Sequence, residues 1–134
     1  MREASILLIE DETLIRMMLV QMVEALGHRV VAEAASVDDG RTYAETENYD
    51  LAILDINLRG FNVKPVAQII KRRGLPLFFL TGYGVKGVPD EFKEMPVLDK
   101  PCTSELLRST IETILSNSTI GSVLSNRESK APGD

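Results

Sequence analysis

Four apolar runs in this sequence each lead into side chains that can bind a phosphate group or a divalent cation. These are Glu10 and Asp11 after residues 6–9, Asp55 after residues 51–54, Thr81 after residues 77–80, and Lys100 shortly after residues 97–98. If the runs are neighbouring parallel strands, their carboxyl ends share one edge of a sheet, where open α/β sheets bind ligands. The sequence therefore predicts one pocket with carboxylates, a hydroxyl and an ammonium group.

The predicted pocket contains the oxygen ligands that Mg²⁺ prefers. Mg²⁺ usually takes one or two carboxylates and keeps several waters, and Glu10, Asp11 and Asp55 would supply carboxylates. The backbone carbonyl of Asn57, two residues beyond Asp55, is a further candidate ligand. A carboxylate beside such a cation can attack phosphorus and become an aspartyl phosphate. Asp55 suits this role because it stands alone at the end of a buried strand.

Thr81 and Lys100 could then contact the added phosphoryl group, Thr81 as a hydroxyl donor and Lys100 as a point charge. Each residue also has an ordinary structural explanation. Acidic residues after strands often serve in turns or caps, and a single threonine or lysine there is usually structural or solvated. The joint arrangement at four strand ends favours a shared site.

The pattern between these motifs alternates strand-like runs with helical periodicity. Near-continuous apolar strands separated by helices predict a parallel sheet covered on both faces, with right-handed crossovers placing all carboxyl ends at one edge. The segment 82–95 is glycine-rich and has little periodicity, so a full helix is doubtful there. From about residue 116 the sequence is polar, which predicts a folded domain over 1–115 and a flexible tail over 116–134.

The composition excludes several classes of protein. The chain has 134 residues, 44% of them hydrophobic, with 15 basic and 20 acidic residues and a formal charge of −5. This balance argues against a nucleic-acid-binding surface, and we expect neither a signal peptide nor a membrane span. The single cysteine, Cys102, fits a reducing cytoplasm. His28, the one histidine, is predicted to lie in a surface loop at the opposite edge of the sheet, and a zinc site is implausible.

Residues 6–115 resemble the receiver domains of two-component response regulators. The resemblance rests on four motifs in order: residues 6–12, residues 50–58, Leu80-Thr81-Gly82 and Lys100-Pro101. It implies a flavodoxin-like, doubly wound α/β fold with a five-stranded parallel sheet of order 2-1-3-4-5. It also implies a Lys100-Pro101 peptide bond in the cis form.

The resemblance implies a function as well. Asp55 would accept a phosphoryl group, Glu10 and Asp11 would hold Mg²⁺, and Thr81 and Lys100 would sense the phosphoryl group. The donor would be a phosphohistidine on a sensor histidine kinase or a histidine phosphotransfer protein. Output would pass through contacts with an unknown protein, with the chain a monomer or a phosphorylation-dependent dimer. We expect a stand-alone, cytoplasmic signalling protein rather than an enzyme.

Three features depart from the family pattern. Val97 stands where the family normally has an aromatic switch residue, so an aromatic ring is not available there. Arg59 replaces a proline common four residues after the phosphorylated aspartate, which suggests a looser loop. The segment 82–95 predicts a short or irregular fourth helix. Residues 79–84 also resemble the FATGUY subgroup of stand-alone receivers, with Leu80 in place of an alanine.

Two alternative functions remain open from the sequence. A haloacid-dehalogenase-like phosphatase also uses an aspartate nucleophile at a strand end with magnesium. That family has a second acid two residues later, where this chain has Asn57, and it needs a larger core or a cap domain. The other alternative is a receiver-like interaction module that acts without phosphorylation, which Val97 and the segment 82–95 keep open.

Overall fold

The computed structural model describes residues 3–130 of the chain, with side chains described as far as residue 117. Its centre is a parallel sheet of five strands in the order β2-β1-β3-β6-β7. The strands are β1 (Ser5–Ile9), β2 (Arg29–Ala34), β3 (Leu51–Asp55), β6 (Leu77–Thr81) and β7 (Val97–Asp99). Two short strands, β4 (Asn57–Leu58) and β5 (Phe61–Asn62), lie outside this sheet. Counting only the strands of the sheet, the order is the predicted 2-1-3-4-5.

Helices cover both faces of the sheet, as expected for strands that are apolar along their whole length. They are α1 (Thr13–Ala25), α2 (Val37–Thr46), α3 (Lys64–Arg72) and α4 (Ser104–Lys130). Successive residues of a strand point to opposite faces, so Leu54 and Phe79 join the cluster under α2 and α3. Ile53 and Phe78 join the other cluster, under α1 and α4. The flavodoxin-like fold predicted from the sequence is confirmed.

The segment 82–95 contains a single turn of 3₁₀ helix, Asp90–Phe92, among its described residues. The expectation of a short or irregular fourth helix is confirmed. Phe92 is buried and packs edge-to-face on Phe79, with the ring centroids 6.0 Å apart. Phe92, together with the buried Val88, therefore attaches this segment to the core in place of the apolar face of a helix.

The loop after β3 forms a hairpin, and the looser loop suggested by Arg59 stays a prediction. β4 pairs antiparallel with β5, Asn57 opposite Asn62. Arg59 and Gly60 form the turn with φ of 54° and 88°, the positive φ values of a two-residue hairpin turn. We refer to residues 57–62 as the 57–62 hairpin.

The last helix continues to Lys130, beyond residue 115, where the sequence placed the end of the folded domain. Residues 131–134 of the predicted tail lie outside the described residues. The division into a domain and a flexible tail stays a prediction. None of the described helices is both long enough and apolar enough to cross a membrane.

The prediction that His28 is a surface loop residue is wrong. His28 is 3% exposed, and its Nδ1 accepts a hydrogen bond of 3.0 Å from the Ala4 amide. It lies between the end of α1 and the start of β2. This is the amino edge of the strands, as predicted, so His28 is remote from the carboxylates.

Candidate functional site

The predicted site residues meet at the carboxyl edge of the sheet. β1 leads directly into Glu10, β3 ends at Asp55, β6 ends at Thr81, and Lys100 follows β7. The β3–β6 register places Asp55 opposite Leu80, one residue before Thr81. A cavity of about 620 Å³ opens at this edge, lined by residues that include Asp11, Asp55, Asn57, Thr81 and Lys100.

Three carboxylates converge in the site. Glu10, Asp11 and Asp55 each offer an oxygen, and these oxygens all lie within 4.8 Å of one another. Glu10 and Asp55 are buried and Asp11 is half-buried. Anions this close repel one another in a region of low dielectric, so the group needs cations or protons among its members.

Lys100 supplies a positive charge between two of these carboxylates. Its Nζ lies 3.1 Å from Glu10 Oε1 and 3.1 Å from Asp55 Oδ2. The Lys100–Pro101 peptide bond is cis, as the resemblance implied. Lys100 pairs with Glu10 and Asp55, and Asp11 adds a third carboxylate to the group, so the site retains a formal excess of negative charge that a divalent cation would balance.

The pKa values of these groups reflect burial and the ammonium group. Burial is the main cause that raises the pKa of Glu10 to about 7, with repulsion from Asp55 adding to it. The pKa of Asp55 is also raised, mainly by burial, although Lys100 opposes the change. Burial lowers the pKa of Lys100, but its bonds to the two carboxylates outweigh that effect and leave it raised. Lys100 is therefore charged, and burial favours the neutral form of both of its carboxylate partners.

Asp11 differs from the other two acids. Burial tends to raise its pKa, but the hydrogen bond from the Arg59 amide and bonds with Glu10 and Asp55 leave the pKa lowered overall. Arg59 N donates to Asp11 Oδ2 at 2.9 Å. Asp11 is therefore the carboxylate most ready to meet a cation in its ionised form.

Thr81 is 3% exposed and lies at the carboxyl end of β6. Its Oγ1 accepts a hydrogen bond of 3.0 Å from the Tyr83 amide, which leaves the hydroxyl proton for another acceptor. Asn57 is exposed, and its backbone N–H donates to Asp55 Oδ1 at 3.4 Å. The role of the Asn57 carbonyl as a metal ligand stays a prediction.

Sequence reasoning missed two groups that hold the acidic residues in place. Arg16 Nη1 on α1 donates to the Glu10 carbonyl at 2.8 Å, and Arg16 Nε lies 3.2 Å from Glu33 Oε1. The other group is the Arg59 amide. The available signal for Arg16 was its position in the first turn of α1, which follows shortly after Glu10. No sequence signal identifies a backbone amide.

Val97 and Cys102 lie near the site without entering it. Val97 is half-buried and packs against the cluster that contains Phe79 and Phe92. Cys102 is half-buried at the wall of the cavity, and burial raises the pKa of its thiol. Position 97 therefore has no aromatic ring that could move between two positions.

The donor set fits Mg²⁺. All three converging side chains are carboxylates, and hard cations such as Mg²⁺ and Ca²⁺ take oxygen ligands. Only a small part of the coordination shell would come from protein, which is the usual arrangement for Mg²⁺. Among the described residues there is no thiolate or imidazole in this group, so the site does not suit zinc.

A doubly wound parallel sheet with a cavity at its carboxyl edge defines the flavodoxin-like class of α/β domains. Within that class, the model of the response regulator receiver domain family matches residues 6–112. The chain therefore belongs to the response regulator receiver domain family. This membership removes the support for a haloacid-dehalogenase-like phosphatase.

Curated relatives and solved structures agree with this membership. The transcriptional regulatory protein PdtaR of Mycobacterium tuberculosis is 30% identical over 115 residues, which cover 83% of this chain and 56% of PdtaR. AfsQ1 of Streptomyces coelicolor is 35% identical over 102 residues, covering 69% of this chain and 45% of that protein. The chain thus spans about half the length of the curated relatives that it matches.

Solved structures of receiver domains superpose over most of the chain. The PhyR receiver domain of Erythrobacter litoralis is 29% identical with a TM-score of 0.75, covering 84% of this chain and 90% of that one. SdrG of Sphingomonas melonis is 35% identical with a TM-score of 0.72, covering 87% of this chain and 97% of SdrG. A BeF3-activated SdrG from Pseudomonas melonis is 37% identical with a TM-score of 0.65, covering 79% of this chain and 95% of that one.

Proposed function

We propose that this receiver accepts a phosphoryl group on Asp55 in a Mg²⁺-dependent reaction and signals through contacts with a partner protein. The observation that carries the proposal is the convergence of Glu10, Asp11 and Asp55, with oxygens within 4.8 Å of one another, two of them paired with the ammonium group of Lys100. Membership of the receiver family supports it.

Asp55 is the phosphoacceptor in this proposal. A carboxylate oxygen of Asp55 attacks the phosphorus of a phosphohistidine, the P–O bond forms, and the P–N bond breaks. The imidazole leaves and takes up a proton, and Asp55 becomes an acyl phosphate. The same attack on acetyl phosphate releases acetate.

Lys100 and Thr81 act on the charge that the phosphoryl group brings. Phosphorylation adds a charge of roughly −1.5 to −2, and Lys100 Nζ is already 3.1 Å from Asp55 Oδ2. The Lys100 ammonium group would then pair with a phosphoryl oxygen instead of the Asp55 carboxylate. The Thr81 hydroxyl proton is not used in the bond with the Tyr83 amide, and the hydroxyl would donate it to a second phosphoryl oxygen.

Glu10, Asp11 and Asp55, with the carbonyl of Asn57, would hold the metal ion. When bound, Mg²⁺ neutralises the oxygens of the phosphoryl group as the charge on them develops. The described side chains contribute by placing ionised carboxylates next to the attacking group. Burial is the main cause of the raised pKa of Glu10, about 7, and the repulsion from Asp55 that adds to it is the part that the ion would offset.

A sensor histidine kinase or a histidine phosphotransfer protein is the proposed phosphoryl donor. The transfer of output to a partner would use the segment 82–95 and the neighbouring surface of β7 and α4. Phosphorylation would have to reach this surface without an aromatic ring at position 97, since Val97 stands there.

The test is the intact mass of the protein after incubation with acetyl phosphate and Mg²⁺. We expect a gain of one phosphoryl group, lost in the Asp55→Asn variant and on chelation of Mg²⁺. Asp99→Asn is the matched control, because Asp99 is an exposed carboxylate at the same edge of the sheet. It should be phosphorylated as the unsubstituted protein is.

Two results would contradict the proposal. An adduct that persists in Asp55→Asn would place the acceptor elsewhere. The absence of an adduct with both acetyl phosphate and a phosphohistidine donor would favour an interaction module that acts without phosphorylation. Beryllofluoride, with which an SdrG structure was activated, provides a second probe through its effect on melting temperature.

A further inference from the structure

One end of the 57–62 hairpin is attached to the acidic site. The Arg59 amide donates to Asp11 Oδ2 at 2.9 Å, and Arg59 adopts a φ of 54° to do so. Gly60 follows with a φ of 88°, and its amide donates to Asn57 Oδ1 at 2.9 Å. A two-residue turn with two positive φ values is a defined geometry. The position of the Arg59 amide is therefore set by the hairpin.

The other end of the hairpin is attached to the segment 82–88. Asn62 Nδ2 donates to the Gly87 carbonyl at 2.8 Å, while Asn62 Oδ1 accepts from the Lys64 amide at 2.9 Å. Gly87 has a φ of 92°, and a Cβ there would lie 3.2 Å from Ile56 Cγ2. The segment therefore packs closely on the base of the hairpin as well as bonding to it.

The hairpin between these two attachments is short and anchored. Leu58 is 1% exposed and Val63 is fully buried, and the Val63 amide donates to the Ile56 carbonyl at 2.8 Å. A two-residue turn on a buried base has few ways to deform. The hairpin therefore forms a continuous path of backbone and hydrogen bonds from Asp11 to the Gly87 carbonyl.

We propose that the 57–62 hairpin positions Asp11 for a divalent cation and couples the occupancy of the site to the segment 82–88 through Asn62 and Gly87. The inference rests on the proposed function in one respect, since it needs a cation to bind at the three carboxylates. The positioning group is the Arg59 amide, and its side chain is not needed. The segment 82–88 presents Tyr83 and Val85, which are 83% and 70% exposed, as the surface that responds.

The first experiment compares Arg59→Gly with Arg59→Pro by titration with Mg²⁺ in a calorimeter. Both variants lose the same side-chain charge, but glycine keeps the amide and accepts a positive φ. Proline lacks the N–H and is locked near φ −65°. Loss of a partner that orients a metal ligand lowers affinity by about tenfold or more, so we expect that loss in Arg59→Pro relative to Arg59→Gly.

The second experiment measures the coupling in the 134-residue chain by amide chemical shifts during the same titration. Asn62→Asp keeps the acceptor for Lys64 and removes the donor to Gly87. Asn48→Asp adds the same charge at an exposed position on the amino edge of the sheet. We expect the Gly87 amide to shift with Mg²⁺ in the unsubstituted protein and in Asn48→Asp. In Asn62→Asp the Arg59 amide should still respond and the Gly87 response should be lost.

The results separate this inference from the proposed function. If the unsubstituted protein does not bind Mg²⁺, the proposed function fails. If it binds Mg²⁺ and the Gly87 amide responds equally in Asn62→Asp, the coupling is wrong. Equal affinities of the two Arg59 variants would show that the amide does not position Asp11. Should Arg59→Pro fail to fold, Asn62→Asp still decides the coupling, because its substitution is isosteric and exposed.

Discussion

The ammonium group of Lys100 and the carboxylate of Asp55 form an ion pair at 3.1 Å whose side chains are 14% and 7% exposed. Water therefore screens this pair little, and removing one partner leaves an unpaired charge in the site. Glu10 Oε1 lies at the same distance from the same Nζ. The pair thus maintains the site as well as belonging to its proposed chemistry.

Lys100→Met should lower the free energy of unfolding by about 3 kcal/mol, the effect of removing one partner from a buried pair. Urea denaturation with and without the substitution measures it. Lys86→Met is the control, because Lys86 lines the same cavity but is exposed; its effect should stay within about 0.5 kcal/mol. Equal stabilities of the two variants would mean that the pair contributes nothing net.

Arg16→Met should destabilise the protein by about 1–2 kcal/mol, because the buried Glu10 carbonyl loses its donor at 2.8 Å. Glu33→Gln removes only the ionic partner of Arg16. Because the Glu33 side chain is 44% exposed, this substitution should change stability by less than about 0.5 kcal/mol. The comparison is made by urea denaturation, with the exposed Arg41→Met as a control for surface arginines. If Glu33→Gln costs as much as Arg16→Met, the ion pair rather than the carbonyl is the important partner.

Phe92→Ala should cost about 3–5 kcal/mol, as for other large aromatic truncations in a core. Phe92 is 1% exposed and is the aromatic contact of the 3₁₀ turn with Phe79. Tyr83→Ala, in the same segment but 83% exposed, should be within about 0.5 kcal/mol. Amide hydrogen exchange over 88–95 should accelerate in Phe92→Ala alone. A loss of stability without faster local exchange would contradict the role of Phe92 as the anchor of this segment.

The sheet and the side chains at its edge were predictable because they follow local patterns. Four of the five strand runs led into polar side chains, and parallel topology brings such ends together whatever the details of packing. Asp55, Thr81 and Lys100 therefore reached one cavity as expected. The low helical periodicity of 82–95 was likewise a local property, and the segment has no full helix.

The hairpin and His28 were not predictable from local patterns, and the spacing from Glu10 to Arg16 was only a weak signal. Two-residue strands have almost no propensity signal, and β4 and β5 are stabilised by Asp11 and Gly87, which are remote in sequence. The partner of Arg16 is a carbonyl, which every residue has. His28 follows a glycine at a helix end, a pattern typical of surface loops, but tertiary packing buries its ring beside Ala4.

His28 makes stability depend on pH. Burial lowers its pKa below the ordinary value of 6.5, with Glu112 on α4 and Glu3 before β1 opposing the change. The unfolded chain therefore binds the proton more readily than the folded one. The contribution of neutral His28 is complete above pH 6.5 and is lost as the pH falls from 6.5 through the folded pKa. Protonation would also remove the Nδ1 acceptor of the Ala4 amide.

His28→Asn removes this titration while offering an oxygen to the Ala4 amide. We expect the difference in free energy of unfolding between unsubstituted protein and variant to shrink or reverse from pH 7.5 to pH 5.5. Comparing the two proteins at each pH cancels the other titrating groups, including Glu10, whose pKa of about 7 lies in the same range. Urea midpoints at both pH values measure the effect. A difference that is independent of pH would mean that His28 titrates equally in the folded and unfolded chains.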